Sequence, residues 1–228
     1  MIIGNGLIAN LFRENDRENV VFFASGVSNS LETDKSAFLR EENLIRNTIK
    51  ENPNKIFIYF STCSIYDSSK NGSSYVNHKL KMEQIVEELA NQFLILRVSN
   101  AVGKGGNPNL LMNYLVNAFH QEKEITVHTL ATRNLIDADD IKNITLKFIN
   151  ENNFNKIINV AYLENFSTSE ILEILEKHFN KTAKTSLVKS GQSYLISIPE
   201  VEPYFIENNL TDKKEYLFRI IRRYYSML

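Results

Sequence analysis

MIIGNGLIANLFRENDRENVVFFASG, residues 1–26, is the stretch on which the fold turns. Three apolar residues run into Gly4-Asn5-Gly6-Leu7-Ile8-Ala9, a G-x-G-x-x-A that follows a strand-like run and opens an apolar helix. A dinucleotide fingerprint needs this context: glycine lets the backbone approach a pyrophosphate, and a helix start offers unpaired N–H groups. A tight strand-to-helix turn with no ligand gives the same letters. The fingerprint's second half, an acidic residue about 20 positions on that holds a ribose, is missing. The next apolar run, Val20 to Ala24, ends instead in Ser25-Gly26.

Further strand-length runs follow at Ile56 to Phe60, Phe93 to Leu96 and Ile157 to Val160. They are apolar at successive positions, as strands covered on both faces of a parallel sheet are. Helix-like periods lie between them. Lys35 to Glu51 places Phe38, Ile45 and Ile49 on one side, and Val76 to Leu89 repeats Lys79, Met82, Ile85, Val86 and Leu89 at three- and four-residue spacing. The alternation predicts βαβ units. After Lys123 come a shorter strand, ITVHTL, an acidic cluster at Asp137, Asp139 and Asp140, and a helix whose capping box is Ser167 with Glu170. Those acids read as helix-capping groups. The basic tail KKEYLFRIIRRYYSML reads as a terminal helix docking its Tyr, Leu and Ile face. Two portions are therefore expected, 1–123 and 124–228, forming one compact unit.

Composition excludes several classes. Lysine and arginine number 26 against 27 acidic residues, a net charge of −1, so no global field draws the chain to nucleic acid or an anionic membrane. The one cysteine, Cys63, rules out an intrachain disulfide framework and points to a reducing, cytoplasmic setting. No apolar run approaches the roughly 20 residues of a membrane span. The four histidines show no metal-ligand spacing, so no metal is expected.

The chemistry-bearing candidates sit mid-chain. Tyr75-Val76-Asn77-His78-Lys79 opens a helix, and a Tyr and a Lys four apart share one helical face, so an ammonium near a phenol equips it for acid–base work. The spacing alone is cheap, since Tyr66 and Lys70 show it inside a polar loop. Tyr75 differs because the strand IFIYF runs directly into Ser61-Thr62-Cys63-Ser64, which puts hydroxyls at the carboxyl edge of a parallel strand.

Taken in order, these segments resemble the short-chain dehydrogenase/reductase superfamily, and within it the extended branch of sugar-nucleotide epimerases, dehydratases and reductases. VVFFASG is similar to the family strand that ends in an Ala turn against the cofactor, and EENLIRNT to the following Asn-bearing helix, matching Asn43. STCSIYD resembles the motif whose catalytic hydroxyl falls on Thr62, and YVNHK the Tyr-x-x-x-Lys motif. LRVSNAVGKGG and TRNLIDADDI resemble the segments in which Asn100 meets the nucleotide sugar and Arg133 its diphosphate.

The resemblance implies a Rossmann-type α/β parallel sheet with a small carboxyl-terminal substrate portion. It implies Thr62, Tyr75 and Lys79 as catalytic residues. NAD or NADP would meet Gly4, Asn5, Gly6, Leu7, Ile8, Ala24, Ser25, Asn43, Ser61, Tyr75 and Lys79. A nucleoside-diphosphate sugar would meet Thr62, Cys63, Asn100 and Arg133. Homodimerisation through the helices at 36–51 and 75–91 is implied too. Family dehydratases place Asp-Glu after the catalytic hydroxyl, where Cys63 and Ser64 stand here, so a 4-ketoreductase or 4-epimerase is favoured. Only about ten residues separate the fingerprint helix from VVFFASG. If that run is the strand ahead of the Asn-bearing helix, the usual second and third strands are missing, and with them the adenosine half of the pocket. Reading VVFFA as the ordinary second strand fits the local spacing but leaves its Ala turn unexplained. The shortening also motivates an alternative, a non-catalytic or cofactor-weak relative that binds a nucleotide sugar or a partner protein.

Overall fold

The computed structural model describes residues 1–105 and 110–225; Gly106, the last residue of LRVSNAVGKGG, lies outside them. In chain order the elements are β1 (Ile2–Ile3), α1 (Leu7–Leu11), β2 (Val20–Phe23), α2 (Lys35–Glu51), β3 (Ile56–Thr62), α3 (Ser74–Leu89) and β4 (Phe93–Val98). Then follow β5 (Asn100–Val102), α4 (Leu111–His120), β6 (Ile125–His128), β7 (Thr132–Arg133), β8 (Leu135–Asp137), α5 (Ala138–Asn150) and β9 (Lys156–Val160). Last are β10 (Phe166–Ser167), α6 (Thr168–Phe179), β11 (Thr185–Val188), α7 (Glu202–Glu207) and α8 (Lys213–Tyr224). The chain divides into two compact units, 1–98 with 138–160, and 99–137 with 161–228. In place of a boundary at Lys123 the chain crosses between the units three times, because α5 and β9 return to the first unit, where β9 completes the sheet.

In the first unit the strands run parallel in the order β1-β2-β3-β4-β9. This order decides between the two readings of VVFFA. An ordinary second strand would leave β1 between β2 and β3. Here β2 stands between them and β1 is an edge, so among the described residues the two strands that normally lie beyond β1 are absent. Every residue of β2 and β3 is buried, which is why both read as unbroken apolar runs.

Period-two alternation splits β3 between two faces. On one, Phe57 and Tyr59 join Val21 and Phe23 beneath Ile45 and Ile49 of α2 and Met82, Ile85 and Val86 of α3. On the other, Phe12 stacks on Phe22 at 4.4 Å and lies 5.5 Å from Phe60. Caps start the two long helices: Asp34 accepts from Ser36 N–H, and Ser73 from Val76 N–H.

In the second unit β5 pairs with β8, β6 with β11 and β7 with β10. Asn134 is its polar hub. Its side-chain amide donates to the Tyr162 carbonyl at 2.8 Å, and its side-chain oxygen accepts from the Tyr162 N–H at 2.9 Å and from Ser99 at 2.8 Å. The expected capping box on α6 is present. The tail docks as expected, with Tyr216, Leu217, Ile220 and Ile221 of α8 buried. Asp137 is no simple cap, because Arg219, Arg223 and the Tyr224 hydroxyl converge on its buried carboxylate. Among the described residues no helix is long and apolar enough to cross a membrane, and no group of three metal-ligating side chains forms.

Candidate active site

Because the strands are parallel, β1, β2 and β3 end at one edge of the sheet, and the sequence places Gly4, Ala24 and Thr62 just there. Gly4 has φ +126°, a conformation that strains any residue with a side chain, and a Cβ on it would collide with the Ala24 carbonyl. The β1–α1 turn can therefore lie against the end of β2. At Gly6 a Cβ would meet nothing within 4 Å, and no side chain caps the helix it begins. Leu7 and Ile8 are half-buried on α1, and Asn5 is exposed, its side-chain oxygen accepting from Arg13 at 3.2 Å.

At the end of β3, Thr62 is buried and its hydroxyl oxygen accepts from the Ser64 N–H at 3.0 Å. That leaves the hydroxyl proton to be donated. Tyr75, buried on the first turn of α3, packs with Val27 and Val76, and Ile65 and Phe38 pack against this cluster. The loop after β3, the turn after β2 and the start of α3 therefore meet. The Tyr75 hydroxyl has no hydrogen-bond partner among the described residues.

Lys79, one turn on, is buried with its ammonium fully engaged. It donates to Glu41 Oε1 at 3.1 Å, to the Tyr59 hydroxyl oxygen at 2.9 Å and to the Phe60 carbonyl at 3.3 Å. An ammonium has three protons, so this set uses them all. Glu41 is satisfied in turn. Its Oε1 also accepts from the Tyr59 hydroxyl at 2.8 Å, and its Oε2 from the Val27 N–H at 2.7 Å and His78 Nε2 at 3.0 Å. Burial alone would raise the Glu41 carboxyl, but the Lys79 charge and these hydrogen bonds outweigh it and hold the group down at about 2. Burial, and then the negative Glu41 beside it, push the Tyr59 phenol well up. Gly26 is what lets this pair sit against the turn, since a Cβ there would stand 2.6 Å from Glu41 Oε1 and 2.7 Å from Lys79 Nζ.

Glu41 escaped the reading of the sequence although its signal was present. It lies three residues after Phe38 and four before Ile45, inside the apolar stripe of α2, where an acid has no business unless it is paired. Asn43, the residue assigned there by resemblance, is exposed. Two residues turn a helix by about 200°, so Glu41 and Asn43 cannot share a face.

A second buried network adjoins the first. Ser61 donates to Glu83 Oε1 at 2.5 Å, and Arg97 grips the same carboxylate through Nε at 3.0 Å and a terminal nitrogen at 2.6 Å. Ser61 therefore spends its proton inside the protein. Cys63 donates to the Arg97 carbonyl at 2.9 Å, and burial pushes its thiol up to about 12, which leaves it inert. The Ala24 N–H donates to the Ile3 carbonyl, and Arg40 donates to the Ser25 carbonyl at 3.2 Å. In the second unit, Asn100 gives its side-chain amide to the Asn134 carbonyl at 2.7 Å, and Arg133 donates to the Thr132 and Gln192 carbonyls at 2.7 and 3.2 Å.

Known structures share this fold at low identity. UDP-glucuronic acid 4-epimerase from Bacillus cereus, in complex with UDP-glucuronic acid and NAD, is 18% identical over 95% of this chain and 79% of its own, with a TM-score of 0.65. UDP-N-acetylglucosamine 4-epimerase from the same organism is 17% identical over 94% and 83%, with a TM-score of 0.66. RMD from Pseudomonas aeruginosa, complexed with NADPH, is 13% identical over 90% and 80%, with a TM-score of 0.68. No curated protein matches the chain. Residues 4–161, more than half of the sequence, match the model of the NAD dependent epimerase/dehydratase family, and the chain belongs to that family.

Proposed function

We propose that this chain is an NAD(P)-dependent 4-ketoreductase or 4-epimerase of nucleoside-diphosphate sugars. The observation that carries the reading is the meeting of Tyr75 with the loop that follows Thr62, at the carboxyl edge of a parallel sheet. Open space over Gly6 and the close seat of Gly4 against β2 fit a dinucleotide's phosphates, and Thr62 and Tyr75, with Lys79 fixed one turn further along α3, fit its nicotinamide end.

When bound, the nicotinamide gives or takes a hydride at C4 of the sugar. The protein's part is proton movement and positioning. Tyr75, unpartnered at its hydroxyl, passes a proton to or from the C4 oxygen, while Thr62 donates a hydrogen bond to that oxygen. Lys79, its protons committed internally, contributes a fixed position one turn from Tyr75. Cys63 and Ser64 supply no acid–base pair for eliminating water, which favours ketoreduction or epimerisation over dehydration. Asn100 and Arg133 remain the residues assigned to the nucleotide portion of the substrate.

The test is turnover of a panel of nucleotide 4-ketosugars with NADH and NADPH, followed by nicotinamide absorbance. Turnover that falls about 100-fold or more in Tyr75→Phe supports the reading, and no turnover with any pair overturns it. One observation favours a second reading. Because the sheet stops at β1, a relative that binds a nucleotide sugar without redox chemistry also fits. Calorimetry would then register the nucleotide sugar and neither cofactor.

A further inference from the structure

We infer that this chain grips only the nicotinamide mononucleotide half of its cofactor and leaves the adenosine half unread, so that NADH, NADPH and reduced nicotinamide mononucleotide bind alike. The inference rests on the cofactor reading above and concerns which part of that ligand the protein recognises.

In the doubly wound fold the strand order is 3-2-1-4-5-6, and the residue that reads the adenosine ribose stands about 20 positions after the first glycine, at the end of the second strand. A carboxylate there accepts the 2′-hydroxyl, and a nearby arginine accommodates a 2′-phosphate. Both the discrimination of NAD from NADP and much of the adenosine contact thus belong to strands beyond the first.

Here β1 is the edge of the sheet and pairs with β2 alone. Residues 4–19 between them hold only α1 and a single short turn at Arg13–Asn15. The position about 20 residues past Gly4 is Ala24, followed by Ser25 and Gly26, and none of these has a charged side chain. Arg40 donates to the Ser25 carbonyl at 3.2 Å and to its hydroxyl at 3.5 Å, so this guanidinium and the Ser25 oxygens are already engaged with each other. Arg13, beside the glycine turn, is hydrogen-bonded to the Asn10 and Asn5 side chains at 3.0 and 3.2 Å. It offers the same charge to the phosphate of a mononucleotide as to that of a dinucleotide. The groups assigned to the nicotinamide end, Thr62 and Tyr75, are by contrast retained and packed.

Calorimetric titration of the full chain with NADH, NADPH and reduced nicotinamide mononucleotide tests this, with AMP as competitor. The expected result is three dissociation constants within about threefold of one another and no displacement by AMP. If NADH binds about tenfold or more tighter than the mononucleotide, a difference of about 1.4 kcal/mol, the adenosine is gripped and the inference fails, while the redox reading stands. A tenfold preference between NADH and NADPH overturns it in the same way. If none of the three binds, this inference and the cofactor reading fail together.

Discussion

The two ends of the sheet's carboxyl edge are built differently. At the carboxyl ends of β2 and β3 the chain buries Glu41, Tyr59, His78 and Lys79 in one hydrogen-bonded knot, with Glu83 and Arg97 in a second. At β1 the sheet stops, with a two-residue strand and a five-residue helix after it. Burying charge is costly unless every partner is present, and such knots contribute more to a unique geometry than to net stability. A chain that dispensed with two strands yet keeps this arrangement is holding the position of α3, and with it Tyr75. The comparison teaches that the half of the edge to which the proposed chemistry is assigned is the half whose geometry is over-determined.

The largest effect expected is on catalysis. Tyr75→Phe should lower turnover by about 100-fold or more with little change in the unfolding midpoint, read by steady-state rates beside thermal melts. Equal loss in both would make Tyr75 a packing residue and dissolve the contrast. Next, Lys79→Met leaves the Glu41 carboxylate buried without a cation, and denaturant titration should show a loss of about 3–5 kcal/mol. The Glu41→Gln/Lys79→Met double variant, which removes both charges, should recover much of it. A single variant as stable as the wild type would mean that the knot does not hold α3.

Acid should dissect the knot by itself. The folded Glu41 carboxyl lies below its ordinary value of 4.5, at about 2, so its contribution is present above pH 4.5 and is lost as pH falls toward 2. That contribution is on the order of 3 kcal/mol. Stability measured across this window should fall less steeply in Glu41→Gln, and parallel curves would contradict the assignment.

Much of this was legible in the sequence, and the rest was hidden for identifiable reasons. The extent of α2 follows from its apolar period, and the missing strands from the few residues between Gly6 and Val20. Glu41 was passed over because a charge is normally read as a solvent-facing residue, and only the fold shows that Lys79 and His78 of α3 come to meet it. Asn43, two positions beyond Glu41, stands on the outer side of the same helix. Ser61 announced a hydroxyl at the edge, but its partner Glu83 lies on another element, at a sequence separation no local pattern reports. The three crossings between units were hidden for the same reason, since strand order is a long-range property.

The smallest effects expected form a matched pair of glycines. Gly26→Ala drives a methyl into the Glu41–Lys79 pair and should cost about 1–3 kcal/mol. Gly6→Ala meets open space and should stay within about 0.5 kcal/mol, read by the same denaturant titrations. Equal costs would erase the difference between the two ends of the edge.

The most direct measurement follows the hydride itself. Wild-type protein is incubated with a nucleotide 4-ketosugar and cofactor deuterated at the transferring position of the nicotinamide, and the product sugar is examined by mass spectrometry and NMR. Deuterium at C4 in the wild type, and its loss in Tyr75→Phe, is the result this account predicts. A protein that binds the sugar and the cofactor but leaves C4 unlabelled would contradict it.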